Sequence, residues 1–218
     1  MAHCRKSFLY YTDETWAKEG DGFYAGVLPI GHGMQRVKLA AGICMDINPY
    51  KFESPWTAYE FANHAREARA KIVVVSMAWL TRLSSEEVSG QPVIPDMDTI
   101  GYWIERFRPL LGPSAHDGEV LVVCANRAGE EGTDPRIGEV RYAGSSCVMG
   151  FSEGSGGFDG DVRIWKIFGR AQEGVLLVDT SDAPSFAVAR KTPASEPATG
   201  TTDPDAQTSD TNTRPGFT

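Results

Sequence analysis

The sequence predicts an α/β or layered α-β-β-α architecture, and three features carry that expectation. KIVVVSMAW (71–79) is a near-continuous β-branched run, as in a strand covered on both faces. DTIGYWIERFRPLL (98–111) places Ile100, Trp103, Ile104, Phe107 and Leu111 on one helical stripe. Strand-like and helix-period segments alternate around these two. In chain order, QRVKLAAGICMD (35–46) alternates and then turns small and apolar, as a strand entering a buried sheet does. WTAYEFANHAREARA (56–70) has helical spacing, with Ser54 and Pro55 as its start signal. EVLVVCAN (119–126), RYAGSSCVMGF (141–151), RIWKIF (163–168) and GVLLVDT (174–180) read as four further strands, and the Gly-rich stretch 152–161 as a loop between two of them. From Thr192 onward the chain has no Val, Ile, Leu or Met and is rich in Pro, Thr, Ser and Asp. Such a segment buries too little apolar area to offset its ordering entropy. The expected organisation is therefore a folded domain over 1–190 and a disordered tail over 191–218.

With 218 residues and 41% hydrophobic side chains the chain is long enough to bury a full core. The 21 Lys and Arg against 29 Asp and Glu give a net charge of -8, which removes the phosphate attraction that general nucleic-acid binding needs. Cys4, Cys44, Cys124 and Cys147 form no Cys-x-x-Cys pair, so neither a zinc ribbon nor a disulfide framework is expected, and reduced thiols in a cytoplasmic or nuclear protein fit best. No signal peptide is visible, and no uncharged apolar stretch approaches the roughly 20 residues of a membrane helix. Neither membrane nor nucleic acid is an expected partner.

Gly42-Ile43-Cys44-Met45-Asp46-Ile47-Asn48-Pro49 carries the sharpest chemical suggestion. A strand of small residues ends in a cysteine, and a polar turn follows before the next helix. A sharp turn there would expose the thiol beside free backbone N–H groups able to hold an oxyanion, which suits a nucleophile. The alternative is a cysteine packed as a small hydrophobe, the reading that fits Cys124 and Cys147 inside their apolar runs. A nucleophilic cysteine needs a lowered pKa or an adjacent base. The histidines are poor candidates: His3 is terminal, His32 and His116 sit in loops, and His64, on the predicted helix 56–70, has no local signature that would pair it with Cys44.

Arg5-Lys6-Ser7-Phe8-Leu9 resembles the R-K-x-x-L lysine motif of the nitrilase (carbon-nitrogen hydrolase) superfamily, and Gly42-Ile43-Cys44-Met45-Asp46 resembles its G-x-C-x-D nucleophile motif. The segments from Cys124 to Glu130 and from Tyr142 to Ser146 are similar to its strand-end ANRxGxE and later GxS pieces. Each piece is weak alone; the four in order, from Arg5 to Ser146, are specific. YYTDETWAKEGDGF (10–23), GICMDINPYKF (42–52) and VSMAWLT (75–81) resemble the branch of fungal protein N-terminal asparagine and glutamine amidases. That resemblance implies a four-layer α-β-β-α sandwich and an enzyme that hydrolyses the side-chain amide of an N-terminal Asn or Gln to Asp or Glu. Ammonia is released, and the product feeds N-degron degradation.

On the same resemblance Cys44 is the nucleophile that forms a thioester, while Lys6 and the backbone N–H of Met45 stabilise the oxyanion. Glu14 matches the second glutamate of the site, which positions the lysine and the attacking water, with Glu19 as fallback; Asp46 is expected to be structural. Peptide N-termini beginning with Asn or Gln are the expected partners, a homodimer is plausible by family habit, and no cofactor or metal is called for. Asp46, Glu130 and Glu131 are the candidates for binding the substrate α-amino group, as an acidic pocket is the physical expectation. The pattern departs from the family at one point. The superfamily's first strand-helix units carry a general-base glutamate ahead of the lysine motif, and residues 1–5, Met-Ala-His-Cys-Arg, hold none. The expectation is a fold lacking those units. Two alternatives stay open: an inactive fragment or pseudoenzyme serving as a binding or dimerisation module, and a different hydrolase of this superfamily such as an ω-amidase or carbamoylase.

Overall fold

The computed structural model describes residues 3–31, 35–112, 118–153 and 158–191. The expected tail, apart from residue 191, and the loop histidines His32 and His116 lie outside the described residues. After an irregular segment over 3–23, strands β1 (Tyr24–Ile30) and β2 (Gln35–Ile43) run antiparallel, with Tyr24 opposite Ala41 and Ile30 opposite Gln35. A 3₁₀ turn at Cys44–Ile47 and helix α1 (Glu60–Glu67) lead to β3 (Ile72–Met77). Helices α2 (Ser85–Gly90) and α3 (Met97–Arg106) precede β4 (Val120–Asn126). The hairpin β5 (Ala128–Asp134) and β6 (Gly138–Ala143) is followed by β7 (Cys147–Glu153), β8 (Phe158–Ile167) and β9 (Phe186–Lys191). The main sheet has the order β1-β2-β3-β4-β7-β8-β9, with β2, β3 and β4 parallel and the other pairs antiparallel. The fold is thus mixed α/β, rich in sheet, with no closed barrel among the described residues.

Side-chain alternation divides the main sheet into two faces. Val73 and Val75 of β3, Val120 and Val122 of β4, Met149 and Phe151 of β7, and Val162 and Ile164 of β8 are buried in one core with Phe61, Ala62 and Ala65 of α1 and Ile100, Trp103 and Phe107 around α3. Phe61 is 1% exposed and Trp103 0%, so truncating either to alanine removes about 3–5 kcal/mol. Gly42 makes the close approach of α1 feasible: a Cβ there would lie 2.8 Å from Phe61 Cζ. The opposite face carries the cross-strand rows Leu39, Ile72, Leu121 and Ala41, Val74, Val123, all half-buried. Of the four layers implied by the resemblance, these elements build one sheet and the helical layer of α1 and α3.

Several element boundaries differ from expectation. The strand predicted over 35–46 ends at Ile43, because Cys44 turns into the left-handed region at φ 44. The helix predicted over 56–70 opens as a 3₁₀ turn at Trp56–Ala58 and becomes α-helical only past Tyr59, which stands at φ 46. The strand predicted over 141–151 is two strands, broken where Gly144 and Ser145 take φ 53 and φ 57; a Cβ on Gly144 would lie 2.2 Å from the Arg170 carbonyl oxygen. The segment read as a loop over 152–161 is entered by β7 and β8 from both sides. No strand forms over 174–180, where Val175 and Leu177 are 92% and 78% exposed. Its apolar run has no partner strand, and β9 takes the edge beside β8 instead.

Candidate active site

Cys44 sits where the C-terminal ends of two parallel strands meet. Ile43 pairs with Ser76, so the turn after β2 faces the residues just beyond β3, and the Ala78 backbone N–H points at the thiol. A non-glycine residue at φ 44 costs about 1–3 kcal/mol and persists only where its surroundings fix it. They do so at every step of this turn. Asp46 is 1% exposed; its Oδ2 accepts from Ile43 N at 2.8 Å, and its Oδ1 accepts from Ser7 N and Phe8 N at 2.8 Å each. Asn48 N donates to Met45 O at 2.9 Å, and the Tyr102 hydroxyl donates to Asn48 Oδ1 at 2.6 Å. The Arg106 guanidinium, stacked 4.7 Å from the Trp56 ring centroid and 4.8 Å from that of Tyr59, donates through Nε to Ile47 O at 2.7 Å.

The Asp46 contacts explain how a segment far away in sequence reaches the cysteine. By holding Ser7 N and Phe8 N, Asp46 lays the Arg5–Leu9 stretch against the turn, and Gly20 N closes it from the other side on Lys6 O at 2.8 Å. Asp46 is therefore structural, as expected, and it joins the two motifs. Replacing it by asparagine would turn an amide NH2 against at least one backbone N–H. The variant is expected to lose about 2 kcal/mol, read as a melting midpoint lower by about 4–8 °C; an unchanged midpoint would contradict this role.

Lys6, sent inward by this arrangement, forms an ion pair with Asp13 Oδ2, both side chains being less than one-fifth exposed. The sequence assigned that position to Glu14. Glu14 is instead exposed, and the adjacent Asp13 meets the lysine. Glu19, the fallback, accepts from the Tyr50 hydroxyl at 3.3 Å. Burial pushes the Cys44 thiol above its ordinary pKa; Lys6 and the Ala78 N–H pull it down, while Asp13 and Asp46 push it up further, and the net shift is upward. At neutral pH the resting group is a thiol, and a base must take its proton before attack. The rate of Cys44 alkylation is expected to keep rising through and beyond the pH at which an unperturbed cysteine levels off. A plateau at lower pH would contradict the burial. His64 packs 5.6 Å from Phe23 and is not among the groups acting on the sulfur.

The remaining motif pieces are scaffolding. Asn126 Oδ1 accepts from Trp79 N at 2.7 Å while its Nδ2 donates to Gly144 O at 2.9 Å, tying the ends of β3 and β4 to the break after β6. Ser146 Oγ accepts from Asn126 N at 2.9 Å, and Ser145 Oγ accepts from Asp96 N at 2.8 Å. Arg127 holds Glu131 through two hydrogen bonds of 2.8 and 3.0 Å and lies over the Tyr142 ring. Asp46 and Glu131 are thus engaged. Glu130 lines a shallow depression of about 200 Å³ with Ser85, Thr133, Glu139 and Arg141, which includes neither Lys6 nor Cys44. The site residues that sequence reasoning missed are Asp13 and the Ala78 N–H. Asp13 precedes Glu14 in the same TDETW stretch, and nothing in the letters separates the two carboxylates; Ala78 acts through its backbone alone.

No protein-family model matches the chain. A protein N-terminal amidase of Schizosaccharomyces pombe is 32% identical over 161 residues, which are 68% of this chain and 50% of that protein. One of Saccharomyces cerevisiae is 30% identical over 93 residues, 37% of this chain and 20% of that protein. The chain is thus a homologue of proteins named protein N-terminal amidase. It spans about half the length of the S. pombe member. Solved N-terminal amidase structures share its fold: one with a Gln-Gly peptide at a TM-score of 0.64 and 18% identity, and a cysteine-to-serine variant at 0.63 and 17%, each covering 85% of this chain and 70% of that one. Among the described residues no helix is long and apolar enough to cross a membrane, and no cluster of three or more His, Cys, Asp or Glu could hold a metal ion.

Proposed function

We propose that the protein is a cysteine amidohydrolase that converts an N-terminal Asn or Gln residue of a peptide to Asp or Glu with release of ammonia. The observation that carries this reading is Cys44, held in a strained turn at the ends of two parallel strands beside the Lys6 cation, in a chain whose relatives are named protein N-terminal amidase. In the proposed step the Cys44 thiolate bonds to the side-chain amide carbon, the Lys6 ammonium and the Met45 backbone N–H hold the developing oxyanion, and the C–N bond breaks as ammonia leaves with a proton. Water then hydrolyses the thioester, freeing the carboxylate and regenerating the thiol. A fixed cation and a fixed amide aimed at that charge each contribute a few kcal/mol in a site shielded from water.

The proposal requires a base for the thiol proton besides the two carboxylates that act on Cys44. Asp46 accepts three backbone N–H groups, and Asp13 is paired with Lys6. That same engagement favours a second reading, a catalytically silent peptide-binding relative. Ammonia release from a peptide beginning with Asn, measured beside the same peptide N-acetylated, decides between them. Release from the free peptide alone supports the amidase; no release, with the free peptide still bound, supports the silent binder. Cytoplasmic action and pairing of two copies belong to this proposal as expectations.

A further inference from the structure

Lys6 is held at both ends. Its backbone is fixed by the Gly20 N–H on Lys6 O and by Asp46 gripping the next two amides. Its ammonium is fixed by Asp13, which is itself built into a tight turn: Asp13 N donates to Tyr10 O at 2.7 Å, Trp16 N and Ala17 N donate to Asp13 O at 3.1 and 2.8 Å, and Tyr10 N donates to Asp13 Oδ2 at 3.1 Å. The oxygen that takes the ammonium thus also takes a backbone N–H, which prevents the carboxylate from swinging away with the lysine. A long, flexible side chain gains its effect on a transition state only when its position is set beforehand. We propose that Asp13 is a positioning residue that holds the Lys6 ammonium against Cys44. The inference rests on the proposed roles of Lys6 and Cys44, and it adds a residue that the family motifs do not assign.

The opposing effects of Asp13 make the test a matter of sign. The groups facing Cys44 are Lys6, Asp13, Asp46 and the Ala78 N–H, together with the Tyr10 hydroxyl, whose pKa is raised by burial and in smaller part by the charge of Cys44. As a bare negative charge Asp13 raises the thiol pKa, so its removal alone would make Cys44 more reactive. As the anchor of Lys6 it keeps a cation beside the thiol, so its removal makes Cys44 less reactive. Alkylation of Cys44 by iodoacetamide, followed by mass spectrometry of the peptide that contains it, reads the difference without any turnover. Asp13→Asn and Asp13→Ala are expected to slow the reaction near neutral pH by about threefold, and Asp13→Glu to restore it in part. In a Lys6→Met background, Asp13→Asn is expected to leave the rate unchanged or raise it. Faster alkylation in the single Asp13 variants, or the same slowing with and without Lys6, would overturn the proposal. The amidase reading fails or stands separately, since alkylation needs no substrate. In an active enzyme, Asp13→Asn is further expected to lower kcat with KM little changed.

Discussion

Replacing Cys44 by alanine is expected to abolish ammonia release, with a loss of about 10⁴-fold or more, because no other group in the turn can form the thioester. The fold is expected to survive. Cys44 is only partly buried, and the turn around it is held by Asp46, Asn48 and Arg106 through backbone groups that the substitution leaves intact. A melting midpoint close to that of the parent chain, together with lost activity, separates a chemical role from a structural one. Retained ammonia release would remove Cys44 from the nucleophile position. Cys124 and Cys147 are unsuited to replace it: they sit opposite one another on β4 and β7, each 1% exposed, and their hydrogen bond together with burial drives the Cys124 pKa far up.

Lys6→Met carries the second large expectation. The ammonium acts on charge that exists only once the amide carbon is attacked, so its loss belongs in kcat rather than KM. A decrease of about 10²–10³-fold in kcat is expected, the usual cost of removing one oxyanion donor. An unchanged kcat would exclude the role. Because methionine keeps most of the apolar stem, the packing of residues 5–9 under Asp46 is retained. Asp13 then loses its ion-pair partner while keeping the Tyr10 N–H, so the loop stays closed.

Parts of this arrangement were legible in the letters. The buried strand at 72–77 and the α3 stripe were legible because their apolar periodicity is decided locally, and both appear in the core close to their expected bounds. The turn at Cys44 was legible from a short motif whose residue types each have a geometric reason: Gly42 admits Phe61, Cys44 takes the strained position, and Asp46 caps the turn. What the letters could not supply was anything settled by tertiary contact. The run at 174–180 has the composition of a strand but lies exposed along the surface, its Leu177 carbonyl accepting from Lys166 Nζ at 2.7 Å. Strand β1 was missed because its position at the sheet edge, with Pro29 in it, removes the clear alternation of a half-buried strand. The choice between Asp13 and Glu14 turns on which side chain the 11–16 turn sends inward, and adjacent carboxylates look alike in sequence.

The same distinction governs what the likeness to these relatives conveys. Sequence similarity marks this chain as a homologue of the yeast amidases, solved N-terminal amidases share its fold, and half of the S. pombe protein's length is represented. Turnover depends on whether a base reaches a thiol whose pKa is raised by burial. Covalent trapping tests that most directly. The protein is mixed with a peptide beginning with Asn, quenched in acid, digested and weighed. A peptide adduct lighter by ammonia on the fragment that contains Cys44, absent with the N-acetylated peptide and in Cys44→Ala, is the predicted result. Ammonia release with no adduct on Cys44, or an adduct on another residue, would contradict the assignment of Cys44 as the nucleophile.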